Sequence, residues 1–122
     1  MAQTLDQQRA QYAWERATRN AMENGYREMA KGAPALIMGN GLMPALAYYN
    51  SRTGSNQKPA KLMLADVLGW LAKRQMVPNN FLLNPMPVFF DAPSQDYMRA
   101  TEETLAMLKW LRQFADAVEA NP

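Results

Sequence analysis

The stretch YMRATEETLAMLKWLRQFADAVEA, Tyr97 to Ala120, decides how the chain folds. Basic residues and aromatics alternate along it, a pattern that fits either a nucleic-acid groove or one face of a buried helix. At about 100° per residue, Thr101, Leu105, Leu108, Leu111, Ala115 and Val118 fall on one face. A second row, Met107, Trp110, Phe114 and Ala117, lies beside it. The apolar arc is wide, so the segment is expected to be a central helix. The opposite strip, Glu102, Lys109, Gln113, Asp116 and Ala120, is mixed in sign and carries no basic stripe. Trp110 and Phe114 therefore read first as core side chains, with base stacking or a partner pocket as the alternative.

Working outward, KPAKLMLADVLGWLAKRQ sets Leu64, Val67, Leu68 and Leu71 on one face of a second amphipathic helix. Between the two, Val77 to Pro93 holds four prolines, which oppose a regular helix. Its Leu82, Leu83, Val88, Phe89 and Phe90 are too apolar for a solvated linker. The segment is expected either to lie across the bundle or to offer a protein-binding surface at Phe89 and Phe90. Strand character is confined to Val88–Phe90, and Ser94 or Asp96 is expected to begin the last helix.

The opening segment, about Asp6 to Lys31, repeats Ala10, Ala13, Ala17 and Ala21 at helical spacing. Thr4 or Asp6 is its expected N-cap, Gly25 a weak point and Gly32 with Pro34 its stop. A short apolar piece, Pro34 to Met38, and a turn at Gly39–Gly41 follow. GLMPALAYYNSR then restarts a helix with Pro44 in its first turn, and Thr53–Asn56 form a polar loop. The expected class is all-α: a single compact domain, residues 1–122, of about five helices with a Pro-rich apolar connection before the last.

Composition narrows the chemistry. The 122 residues contain neither Cys nor His, which removes disulfides, thiolate chemistry and the commonest acid-base and metal-binding side chain. Glu102 and Glu103 are neighbours on a helix and point about 100° apart, so they cannot converge as a carboxylate pair. The Gly39–Gly41 turn lacks the Lys of a phosphate-binding loop. A carboxylate-based hydrolase using Asp66 and Asp91 is the weakest reading. The sequence thus points to no catalytic residue, metal or cofactor.

A net charge of +2 is low for an autonomous nucleic-acid binder, yet basic residues gather in two places. On a continuous opening helix Arg9, Arg16 and Arg27 would project within about 20° of one direction, as either phosphate contacts or a salt-bridged face with Glu23. Lys58, Lys61 and Lys73 spread over roughly 120° of the second helix, opposite its Leu face, with Arg52 just upstream and only Asp66 offsetting them. That arc is the stronger candidate for sequence-independent phosphate neutralisation. No apolar run approaches the length of a membrane span, and a cytoplasmic location is expected.

The pairing of GLMPALAYYNSR with YMRATEETLAMLKWLRQFADA resembles the small helical subunit family of type III-B (Cmr) CRISPR RNA-guided effector complexes, and TLDQQRAQYAWERA is similar to that family's opening helix. The resemblance covers roughly the first fifty residues and the last twenty-five; Thr53 to Pro93 is unmatched. It implies a non-enzymatic subunit that stacks along the backbone subunits, touches the large polymerase-like subunit and further copies of itself, and turns a basic face to the guide-paired target RNA. Arg52 and Arg112 stand at basic positions of the family pattern, whereas Asn50 and Gln113 stand where relatives more often carry a basic residue. The phosphate-contact set expected from residues and resemblance together is Arg16, Arg52, Lys58, Lys61, Lys73 and Arg112. The alternative is a helical adaptor that binds only protein.

Overall fold

The chain's apolar stripes close on one another as helices. In the computed structural model, which describes residues 2–77 and 86–120, these are α1 (Leu5–Asn20), α2 (Tyr26–Asn40), α3 (Leu42–Ser51), α4 (Gln57–Lys73), the five-residue α5 (Met86–Phe90) and α6 (Ser94–Ala120). No strand occurs among the described residues. The architecture is the all-α bundle read from the sequence, with five substantial helices and one short one.

α1 starts where its cap dictates. Thr4 Oγ1 accepts from Gln7 N at 3.1 Å while Gln7 Oε1 accepts from Thr4 N at 2.8 Å, a capping box that satisfies two orphan donors. The weak point expected at Gly25 in the opening segment is a break: α1 ends at Asn20, whose side chain is drawn inward, and the helix restarts after Gly25. Gly25 holds φ 88°, a left-handed conformation that a side chain resists. The expected stop at Gly32 and Pro34 is overridden: α2 runs through Pro34 to Asn40. Burial of Ala30, Ala33 and Ile37 carries it past the hydrogen bond that proline cannot donate. The expected separate piece at Pro34–Met38 is thus the second half of α2, and the turn contracts to Gly41.

α6 is the central helix: α1 and α2 make their most extensive contacts with it, and α4 also packs against it. α2 runs antiparallel to α6, with Arg27 beside Asp116 at one end and the Met43 N–H donating to Tyr97 Oη (2.9 Å) just beyond the other. The inner face of α6 is Ala100, Glu103, Thr104, Met107, Leu108, Leu111 and Ala115, rotated slightly from the expected row. Thr101, Leu105 and Val118 move to the edge, and Glu103 takes a core position. Trp110 and Phe114 are half-buried beside Trp14 on α1. The four α4 residues read as its core face, Leu64, Val67, Leu68 and Leu71, are all buried, each fully buried chain being worth about 1.5–3 kcal/mol.

α1 also crosses α4 at close range. A Cβ on Gly69 would sit 2.5 Å from Tyr12 Oη, so only glycine lets that hydroxyl reach the Asp66 carbonyl, 2.7 Å away. Val88–Phe90, expected to be strand-like, are helical in α5. Phe81, Leu82 and Leu83 lie outside the described residues. None of the described helices is long and apolar enough to cross a membrane.

Candidate nucleic-acid interface

Whether a basic residue can serve a ligand depends first on whether a carboxylate already holds it. Asp66 is fully buried on α4 and accepts from three side chains: Arg16 Nε and Asn20 Nδ2 on α1, and Tyr26 Oη on α2. Burial pushes its carboxyl above the usual range, against those three hydrogen bonds. Glu103, also buried but less completely, accepts from Arg9 Nε and Nη2 (2.7 and 2.9 Å) and from Trp70 Nε1 (3.1 Å). Arg9 holds its carboxyl below the usual glutamate value. Asp116 takes Arg27 at 2.8 Å and Lys31 at 3.5 Å. The basic face expected on one continuous opening helix is therefore redistributed, because the break at residues 21–25 separates Arg27 from Arg9 and Arg16.

The expected phosphate set divides accordingly. Arg16 turns inward to Asp66. Lys58, exposed, lies 3.2 Å from Glu23 across the α1–α2 turn. Lys61 is exposed with no ion-pair partner among the described residues, and Lys73 lies over the Tyr12 ring at 5.9 Å. Asp66 does not offset these lysines at the surface, because it faces the interior. Arg52 stacks on Tyr48 with its guanidinium carbon 4.3 Å from the ring centroid. Arg112 is exposed on α6. The two expected interface phenylalanines part: Phe89 is buried against Tyr97 with ring centroids 5.9 Å apart, while Phe90 is 66% exposed. No group of three or more metal-ligating side chains gathers among the described residues.

With this geometry in place, the comparisons with known proteins converge. The sequence matches the family described as "CRISPR-associated protein (Cas_Cmr5)" over residues 5–118. It is similar to the "CRISPR system Cmr subunit Cmr5" of Thermus thermophilus, 33% identical over 118 residues that span 94% of this chain and 96% of that one. The chain belongs to the Cmr5 family. Its fold is that of the crystal structure of a CRISPR-associated Cmr5 family protein from the same organism. The TM-score is 0.76 and the identity 30%, with 95% of this chain and 98% of that one covered.

This Cmr5-family bundle also joins residues that no sequence pattern linked. The C-terminal end of α4 and the first turns of α6 enclose a cleft of about 310 Å³ lined by Arg74, Gln75, Met76, Asp96 and Arg99. Arg74 also lines an adjoining cleft of about 230 Å³ with Lys73, Tyr12, Glu15, Trp70 and Gln3, Gln8 and Gln11. Arg74 and Arg99 are far apart in sequence and on different helices. The one local signal was the pair Lys73–Arg74 at the end of an amphipathic pattern, which is also how an ordinary helix C-terminus looks.

Proposed function

We propose that this chain is a non-catalytic structural subunit of a type III-B CRISPR effector complex, working in the cytoplasm. It stacks along the backbone subunits and touches the large polymerase-like subunit and further copies of itself. The observation that carries the RNA part of the reading is the outward face of α4, where Lys61 and Lys73 are exposed and make no ion pair with a described residue, Asp66 being turned into the core and Glu15 sharing Lys73's cleft without bridging to it. With Arg52 and Arg112, and with Lys58 where a phosphate displaces Glu23, they make a set of cations suited to backbone phosphates and unsuited to reading bases. Arg16, committed to Asp66, contributes from behind by keeping that carboxylate inside. Repetition along a filament multiplies a few contacts per copy, and sequence is read by guide–target pairing.

A second reading, protein contact alone, is favoured by the exposed apolar side chains Trp14, Met38, Phe90 and Met98. The native mass of guide-loaded backbone subunits mixed with this chain, with and without complementary RNA, decides between them. Incorporation that increases with target RNA supports the phosphate reading. Incorporation indifferent to RNA and lost in Phe90→Ser supports the adaptor, and no incorporation sinks the effector-subunit reading and leaves an adaptor whose partner is sought by pull-down. In the phosphate reading, replacing Lys58, Lys61 and Lys73 by Ala lowers the salt dependence of RNA retention by about 0.7 log units per lost single-strand contact.

A further inference from the structure

The junction of α4 and α6 contains a residue whose backbone contradicts its side chain. Gln75 adopts φ 60°, and no other described non-glycine residue has positive φ. It occupies the position after α4 where the helix is closed by paired reverse hydrogen bonds, Gln75 N to Ala72 O (2.9 Å) and Met76 N to Leu71 O (2.8 Å). Glycine favours that position strongly. A glutamine there holds a strained conformation, and strain of this kind persists where the side chain has a use.

Its surroundings indicate the use. Arg74, the preceding residue, has Nε 3.8 Å from Glu103 Oε1. Glu103 already accepts three hydrogen bonds from Arg9 and Trp70, and Arg74 makes none with the described residues; its Nε is buried without a partner. The guanidinium is thus oriented by charge, with its Nε unsatisfied as a donor. Arg99, one α6 turn in, lines the same cleft, is exposed and has no partner among the described residues. Two guanidinium groups and a carboxamide line the cleft with Asp96, and Glu103, already shared with Arg9, lies behind Arg74. The α4 carbonyls of Trp70, Leu71 and Ala72 are occupied by the closing N–H groups, so the helix end adds little opposing negative charge.

We infer that Arg74, Gln75 and Arg99 form a phosphate-binding cleft that takes one phosphodiester of an RNA strand, next to Lys73 on the outer face of α4. The guanidinium forks pair with the non-bridging oxygens and the Gln75 amide donates a further hydrogen bond. This rests on the proposed RNA contact and extends it around the end of the bundle, from Lys61 through Lys73 to Arg99.

The test is the salt dependence of binding of the full chain to a fluorescein-labelled single-stranded RNA of arbitrary sequence, measured for Arg99→Ala, Arg74→Gln, Gln75→Gly and, separately, Lys61→Ala with Lys73→Ala. Arg99→Ala and Arg74→Gln each lower the slope of log K against log salt by about 0.7. Gln75→Gly weakens binding several-fold while raising the melting temperature by roughly 2–6 °C, a combination that a purely structural role does not produce. If the three cleft variants bind as wild type while the lysine variant loses slope, the cleft proposal is overturned and the α4 face stands. If wild type shows no salt-dependent binding, both fall. If Arg99→Glu abolishes incorporation into the effector complex without RNA, the cleft holds a protein carboxylate and the proposal is likewise overturned.

Discussion

Two regions of this molecule carry similar charges to opposite ends. In the seam where α1 meets α4 and α6, Arg9 and Arg16 are each met by an enclosed carboxylate, Glu103 and Asp66. On the outer face of α4, Lys61 and Lys73 form no ion pair with a described residue, although Glu15 shares Lys73's cleft. A net charge of +2 averages over this difference. What matters to a polyanion is where the carboxylates sit, and the fold has drawn two of them inside. The seam holds the bundle together; the outer face is left for something else.

Breaking the seam gives the largest effect expected. Asp66→Ala leaves Arg16, Asn20 and Tyr26 without their common acceptor, and denaturant unfolding should register a loss of about 3–5 kcal/mol. Gly69→Ala comes next: its Cβ collides with Tyr12 Oη, costing roughly 1–3 kcal/mol. In a Tyr12→Phe background the hydroxyl is gone and the cost should shrink. A double-mutant cycle measures that coupling, and additive losses would mean that the close approach is not what requires the glycine.

Glu103 gives a smaller, pH-resolved effect. Its carboxyl is held low by Arg9 on α1, with Trp70 on α4 and Arg74 just after that helix also facing it. Its contribution is therefore present above the ordinary glutamate value of 4.5 and lost as pH falls through the lower folded value. Asp66, held high by burial, has the opposite sign, its contribution weakening as pH rises. Glu103→Gln should cost roughly 1–2 kcal/mol near neutrality and flatten the acid limb of stability against pH. An unchanged limb would remove Glu103 from the seam's electrostatics. The smallest effect is on the other side of the comparison: Lys61→Ala and Lys73→Ala should leave stability within about 0.5 kcal/mol of wild type, while RNA retention falls.

How much of this was legible in the sequence follows the same division. Helical periodicity finds α4 and α6 because their inner faces are apolar at regular spacing, and Thr4 announces α1 through short-range chemistry. Pro34 misleads because a local rule against helix interiors is outweighed by the packing of Ala30, Ala33 and Ile37. The rotation of α6 is hidden because Glu103 looks like a surface residue until Arg9, far away in sequence, supplies its partner. Asp66 reads as a partial offset to the lysines for the same reason. Arg74 and Arg99 share a cleft only once two helices meet. Periodicity shows which face is apolar but not which charges will be drawn across it.

The position of α6 has a consequence in time. The chain's last long helix is the surface on which its first two helices pack, and the Arg9–Glu103 ion pair joins residues 94 apart. Closing a loop of that length costs on the order of 4 kcal/mol in chain entropy before any contact repays it. During synthesis at about 5–20 residues per second, α1 and α2 wait roughly 4–16 s after completion for the end of α6 to be made. Through that interval α1 and α2 have no complete α6 to pack on. The first two helices are thus open to the wrong partners until α6 is made, and closure comes with that helix.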